Sequence, residues 1–80
     1  MKKYINLFEK KLGAYYLVEC RRDEDLFYIQ LYKKWSKGSG YEATDNIIKI
    51  DGKNGDKALS IYNGINLKNM YKEFERNKLR

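Results

Sequence analysis

Apolar and polar residues alternate in two runs between residues 14 and 35, and a charged segment separates the runs. Residues 14–20 and 26–35 are rich in Tyr, Val, Ile, Leu and Phe, which fit the pleated, half-buried surface of a β-sheet. The charged residues 22–25 belong to neither run. The stretch predicts a β-hairpin, and we expect the rest of the fold to be built around it.

A turn centred on Asp23 and Glu24 sets the register of this hairpin and sorts its side chains onto two faces. The expected core face consists of three cross-strand pairs: Cys20 with Phe27, Val18 with Ile29, and Tyr16 with Leu31. The opposite face pairs aromatic, polar and apolar residues between two cations: Tyr15 with Tyr32, Leu17 with Gln30, Glu19 with Tyr28, and Arg21 and Lys34 at the ends. We expect Val18, Phe27, Ile29 and Leu31 to be nearly buried, and Gln30 and Lys34 to be exposed.

The N-terminal residues 2–12 have the spacing of an amphipathic helix. The residues at helical spacing are Tyr4, Leu7, Phe8, Lys11 and Leu12. Gly13 follows at the position where a helix is expected to stop. We therefore expect an N-terminal helix whose charged side faces solvent.

Residues 46–62 have the pattern of a second hairpin, because Asn54 and Gly55 lie between two apolar alternations. Asn-Gly is a preferred pair for the tight type I′ turn. With this turn, Ile50 pairs with Leu59 and Ile48 pairs with Ile61 on one face. We expect two more strands here.

The last element is expected to be a helix that begins near Asn66, a favourable N-cap, and ends near residue 78. Its apolar stripe consists of Leu67, Met70, Tyr71 and Phe74. The predicted fold is α+β, with the order α-β-β-β-β-α in one domain, residues 1–80. It is a two-layer sandwich, in which an antiparallel sheet of two hairpins carries an N-terminal and a C-terminal helix on one face.

Composition narrows the possible functions. The chain has 80 residues and no histidine, so the most common general base and metal ligand is missing. Its only cysteine, Cys20, excludes an intramolecular disulfide and a cysteine-rich zinc site. No apolar run is long enough to span a membrane. We expect a non-enzymatic cytoplasmic protein that needs no metal or cofactor and does not act at a membrane.

The net charge of +6, from 17 basic and 11 acidic residues, favours an acidic or polyanionic partner. The outward face of the hairpin combines flat rings with cations and an amide, as single-strand-binding sheets do. The candidate binding residues are Tyr15, Arg21, Tyr28, Gln30, Tyr32 and Lys34. The structural alternative is that Tyr15 and Tyr32 merely stabilise the sheet as a cross-strand pair.

Two functions are consistent with these features. The first is a small accessory protein that binds nucleic acid or a nucleoprotein complex through lysines, arginines and the hairpin tyrosines. The second is a stoichiometric inhibitor of a host defence nucleoprotein, such as an anti-CRISPR or other anti-defence protein, that occludes a functional surface of a protein target. In that case the acidic turn, residues 23–25, is a candidate for docking onto a basic groove. Small size and a composition rich in Lys, Asn, Ile and Tyr are typical of phage and mobile-element proteins from AT-rich genomes, although no motif carries this expectation.

Overall fold

Four strands followed by two helices make up residues 5–77, which the computed structural model describes. The strands are β1 (Ile5–Leu12), β2 (Tyr16–Arg22), β3 (Leu26–Lys33) and β4 (Glu42–Asp51), and the helices are α1 (Gly55–Gly64) and α2 (Met70–Arg76). The strands form one antiparallel sheet in the order β1-β2-β3-β4. The α+β class is confirmed, but the helix expected before the sheet is wrong, because both helices follow it.

The segment expected to be the N-terminal helix is an edge strand, β1, from residue 5 onward. Residues 2–4 of that prediction lie outside the described residues. Phe8 pairs with Cys20 and Leu12 pairs with Tyr16, so alternate residues of β1 share the core side of the sheet. A bulge at Leu7 interrupts the register between Asn6 and Phe8. The bulge shifts the alternation by one residue, which made the pattern look helical.

Lys10 is the second reason for that error, because it occupies an inward position of β1, opposite Val18. Its ammonium donates a hydrogen bond to the carbonyl oxygen of Tyr62 at 2.8 Å and lies 4.6 Å from the centroid of the Tyr62 ring. Tyr62 is in the last turn of α1, where the helix dipole favours a cation. Partial burial lowers the pKa of Lys10. The ion thus bridges the strand and the helix.

The turn of the β2–β3 hairpin lies one position later than expected. The N–H of Asp23 donates to the carbonyl oxygen of Leu26 at 3.1 Å. The Asp23 carboxylate also accepts hydrogen bonds from the N–H groups of Asp25 and Leu26, both at 3.0 Å. Such bonds to the backbone are the reason that aspartate favours turns. They fix the turn at residues 23–26.

The hairpin itself is confirmed, but its register differs by two residues from the expected one. Val18 lies opposite Leu31 and Cys20 lies opposite Ile29. A shift of two residues leaves each side chain on its face, so five of the six expected core residues are buried, while Tyr16 is only partly buried. Val18, Ile29 and Leu31 are 0% exposed and Phe27 is 8% exposed. Burial also raises the pKa of the Cys20 thiol, which lies on this face.

The second predicted hairpin is wrong, because its first half is β4 and its second half is helix α1. The carbonyl oxygen of Asn54 accepts the N–H of Ala58 at 3.1 Å, which is the first bond of a helix. Ala58 and Tyr62, four residues apart, are buried, whereas Leu59 is 42% exposed. The isoleucines expected to pair within this hairpin pair with β3 instead, Ile48 with Ile29 and Ile50 with Phe27.

The C-terminal helix is confirmed with a shorter span, and Asn69 rather than Asn66 is its N-cap. Its buried residues are Met70 and Phe74, while Tyr71 is half exposed. Both helices contribute to one apolar core with the sheet. The buried core residues are Leu12, Val18, Cys20, Phe27, Ile29, Leu31, Ile48, Ile50, Ala58, Tyr62, Ile65, Met70 and Phe74.

Candidate functional site

The sheet face opposite the helices carries four of the six predicted binding residues, and they are joined in one polar network. At its centre, the Glu19 carboxylate forms a 2.9 Å ion pair with Arg21. It also accepts hydrogen bonds from the Tyr32 hydroxyl at 2.9 Å and from the Asn6 amide at 2.6 Å. The side chains of Arg21 and Glu19 are each only 16% exposed. Arg21 is therefore paired with a carboxylate within the protein. We call Asn6, Glu19, Arg21, Tyr28, Gln30 and Tyr32 the sheet network.

Gln30 is a buried member of the sheet network, so its expected exposure is wrong. It is 7% exposed, and its amide donates to the carbonyl oxygen of Thr44 at 2.7 Å. The Arg21 guanidinium donates to its side-chain oxygen at 3.4 Å. The reason for the burial is a bulge in β4, where residues 44–46 face the single residue Leu31. The bulge supplies the carbonyl group that Gln30 needs.

The two network tyrosines are also engaged. The guanidinium of Arg21 lies 5.2 Å from the centroid of the Tyr28 ring. Burial, followed by a hydrogen bond to Asp23, raises the pKa of Tyr28. Burial, together with the hydrogen bond and charge of Glu19, raises the pKa of Tyr32. The ring face of Tyr28 and the hydroxyl of Tyr32 are thus occupied by neighbouring protein groups.

The other two predicted residues, Tyr15 and Lys34, lie at one end of the sheet. There the N–H of Lys34 donates to the carbonyl oxygen of Tyr15 at 2.8 Å. Tyr15 is 40% exposed, but Lys34 is half-buried rather than exposed as expected. Other aromatic and basic residues join them. We call this group the aromatic end, and it consists of Tyr15, Tyr16, Lys33, Lys34, Trp35 and Tyr41.

Trp35 is the most prominent residue of the aromatic end, because 71% of it is exposed. The ammonium of Lys33 lies 4.7 Å from the centroid of its ring, and the ammonium of Lys34 lies 4.9 Å from the centroid of Tyr41. Two clefts adjoin Trp35. A cleft of about 320 Å³ lies towards Tyr15, and one of about 270 Å³ lies towards β4.

Hydrogen bonds hold Trp35 in place although it is exposed. Its indole N–H donates to the Glu42 carboxylate at 2.7 Å. Its backbone N–H donates to the Ser39 hydroxyl at 3.2 Å, and that hydroxyl in turn donates to the carbonyl oxygen of Ser36 at 3.0 Å. Residues 36–40 form a surface loop that is closed by its own turn. The aromatic platform is pre-organised.

Sequence reasoning missed Lys33, Trp35 and Tyr41 as site residues. Trp35 continues the apolar alternation of β3, and for that reason it was assigned to the strand rather than to a surface. A usable signal was present, namely a tryptophan directly after two lysines and before a loop of small residues. An aromatic residue at the end of a strand stays exposed when the covering helix does not reach it.

The opposite end of the sheet is acidic. Asp23, Glu24 and Asp25 form the β2–β3 turn, and Asp51 of β4 pairs with Leu26 beside them. We call these four carboxylates the acidic end. The eight residues of β3 separate the two ends by about 25 Å.

Neither described helix is long and apolar enough to cross a membrane. Within residues 5–77, no group of three or more His, Cys, Asp or Glu side chains is placed to hold a metal ion. No protein-family model, curated protein or solved structure matches the chain.

Proposed function

We propose that the protein is a small non-catalytic accessory protein that binds single-stranded nucleic acid at the aromatic end. The observation that carries this proposal is the 71% exposure of Trp35 beside the ammonium of Lys33. Binding proteins for single strands combine aromatic platforms for the bases with cations for the backbone. Trp35, Tyr15 and Tyr41 are the platforms. Lys33, Lys34 and Lys37, which is exposed in the adjacent loop of residues 36–40, contact the phosphates.

A nucleic-acid base stacked on one of these rings is expected to be more stable than the lysine contact that it replaces. An exposed cation over a ring stabilises by about 0.5 to 1 kcal/mol. A stacked base contributes about 1 to 3 kcal/mol. When a base displaces the ammonium of Lys33 from Trp35, the lysine also gains a phosphate as its partner. In the absence of nucleic acid, the lysines therefore cover the rings with contacts weak enough for a base to replace.

The sheet network is a poorer candidate for the same role, although it contains rings and a cation. Its arginine is neutralised by Glu19 at 2.9 Å, and a phosphate has to compete with that carboxylate. Within residues 5–77, the lysines of the aromatic end form no ion pair shorter than 4.0 Å with a carboxylate. Two of the six residues predicted from the sequence, Tyr15 and Lys34, therefore belong to the proposed site.

The test is a titration of labelled single-stranded and duplex oligonucleotides, followed by fluorescence anisotropy at two salt concentrations. We expect Trp35→Ala to weaken single-strand binding by about 10- to 100-fold, because it removes a stacking platform. Tyr28→Ala is the matched control and is expected to keep the wild-type affinity. Circular dichroism checks the folding of both variants. Equal losses in both variants would contradict the placement of the site.

Salt dependence gives a second readout. Neutralisation of about three phosphates on a single strand predicts a slope of about −2 in a plot of log affinity against log salt. Affinity should therefore fall about twenty-fold between 50 and 200 mM salt. No binding to any oligonucleotide at the lower concentration would overturn the proposal.

The acidic end favours a second candidate function, a protein inhibitor that docks its carboxylates onto a basic groove of a nucleoprotein. An inhibitor of this kind uses one exposed aromatic anchor, for which Trp35 is equally suitable. It has no appreciable affinity for free DNA or RNA. The same oligonucleotide titration therefore separates the two functions.

A further inference from the structure

The cleft between Trp35 and β4 differs from the rest of the aromatic end, because carboxylates lie on its rim. It has a volume of about 270 Å³. Its lining residues are Lys33, Trp35, Glu42, Ala43, Thr44 and Asp45. A flat ring stacked on Trp35 meets both a cation and hydrogen-bond acceptors here.

Hydrogen bonds hold two of these side chains, and a third is exposed beside them. The Glu42 carboxylate accepts the indole N–H at 2.7 Å and so sets the plane of the Trp35 ring. The Thr44 hydroxyl donates to the carbonyl oxygen of Leu31 at 2.8 Å, which anchors the bulge of β4. Asp45 follows within that bulge and is exposed. The bulge therefore places the exposed Asp45 in the lining of the cleft that Trp35 also lines.

The bases differ in the groups that they present to such a rim. Guanine has two adjacent donor groups, N1–H and the 2-amino group, which match the two oxygens of one carboxylate, and its O6 is an acceptor for a lysine. Thymine and uracil have one N–H between two carbonyl oxygens, which a carboxylate repels. Adenine and cytosine place an amino donor next to an acceptor nitrogen. Only guanine satisfies Asp45 with two hydrogen bonds.

We propose that this cleft selects a guanine base, with Trp35 as the stacking surface and Asp45 as the acceptor of its two adjacent donor groups. The inference rests on the proposed single-strand binding and adds base preference to it. A carboxylate in a nucleic-acid site lowers affinity for the backbone by repulsion. Its presence beside the platform is explained if it is used to read a base.

The experiment uses the full chain and the fluorescence of Trp35, which is the only tryptophan. Thymidine oligonucleotides of about nine residues carry thymine, guanine or hypoxanthine at the centre. We expect the guanine strand to bind about tenfold more tightly than the all-thymine strand, as a bidentate contact to a base provides. Hypoxanthine lacks the 2-amino group, so the hypoxanthine strand should bind about threefold more weakly than the guanine strand.

Asp45→Asn tests the role of the carboxylate. The ratio of guanine to thymine affinity should fall to about one in this variant, whereas Glu24→Gln, which removes a charge at the acidic end, should leave the ratio at about ten. Equal binding of all three strands to the wild-type protein overturns the guanine preference and leaves single-strand binding intact. Absence of binding to every strand overturns both proposals.

A free guanine nucleotide offers the same base chemistry as a strand. Guanosine monophosphate is therefore titrated in parallel, and we expect it to bind at least about a hundredfold more weakly than the guanine strand, because it carries one phosphate and one base. Equal affinity for the mononucleotide would overturn the assignment to a strand.

Discussion

The sheet network and the aromatic end contain the same kinds of residue, namely tyrosines beside cations, yet they differ in what surrounds those residues. In the sheet network, Glu19 lies 2.9 Å from Arg21 and accepts two further hydrogen bonds. At the aromatic end, the ammonium of Lys33 lies 4.7 Å from the centroid of the Trp35 ring. The ammonium of Lys34 lies 4.9 Å from the centroid of the Tyr41 ring. A ring contact is weaker than a buried ion pair and is exchanged more easily.

The difference indicates that the ion pairs a cation forms within the protein have to be considered before aromatic and basic residues are interpreted as a binding surface. A half-buried carboxylate converts an arginine from a phosphate ligand into a structural group. The sheet network then fixes the register of β1, β2 and β3 on the solvent side. The aromatic end is the surface that we propose for contacts with nucleic acid.

The largest loss of stability is expected from a core substitution in β3, because this strand carries residues of both the sheet network and the aromatic end. Ile29 lies in β3, beneath the sheet network and five residues before Lys34, and is 0% exposed. Ile29→Ala should lower the free energy of unfolding by about 2 to 4 kcal/mol, because it leaves a cavity in the core. Denaturant melts measure this change, with Leu59→Ala, 42% exposed, as the mild control. A loss below half a kcal/mol would show that the Ile29 side chain is not packed in the core.

A smaller effect should separate the two regions. Glu19→Ala leaves Arg21 without its carboxylate partner in a half-buried position, and we expect a loss of about 2 to 3 kcal/mol in unfolding free energy. Glu42→Ala, which removes only an exposed partner of Trp35, should cost less than about 1 kcal/mol. Chemical denaturation of both variants gives the comparison. Similar losses would mean that the aromatic end is as structural as the sheet network.

The smallest effect is a dependence on alkaline pH. The pKa values of Tyr28 and Tyr32 are raised in the folded protein, mainly by burial. Since unfolded tyrosine has a pKa of about 10, the folded state holds these protons to higher pH than the unfolded state does. The associated stability is complete below pH 10 and is lost as the pH rises through the folded pKa values.

Urea melts between pH 9 and 11 should therefore show declining stability, and Tyr32→Phe should make the decline shallower. The lowered pKa of Lys10 acts in the opposite direction, so Lys10→Met serves as a control that makes the decline steeper. A free energy of unfolding that rises above pH 10 in the wild type would show that folding does not help Tyr28 and Tyr32 to retain their protons.

The central hairpin was predictable because alternation in β2 and β3 is strong and both core faces are apolar. The exact partners depended on how Asp23 closes the turn, which is decided by hydrogen bonds rather than by hydrophobicity. The misassigned elements each had a misleading local signal. Lys10 concealed a strand, and the Asn54-Gly55 pair suggested a hairpin turn where a helix begins.

The candidate site was only partly predictable for a different reason. Tyr15 and Lys34 were identified from their strand face, but the exposure of Trp35 depends on where the helices lie on the sheet. Gln30 illustrates the converse, because its burial depends on the bulge in β4. Such long-range features have no local sequence pattern.

The bulges at both edges of the sheet have a consequence for how the protein behaves at high concentration. β1 is interrupted at Leu7, and β4 is interrupted at residues 44–46. A regular, flat edge strand offers its unpaired backbone to another chain and thereby seeds fibrils, whereas bulges and charged residues such as Lys10 and Lys11 discourage this pairing. Both edge strands of the sheet are therefore interrupted by a bulge. A chain with so many exposed aromatic residues thereby gains protection against the cross-β aggregation that they promote.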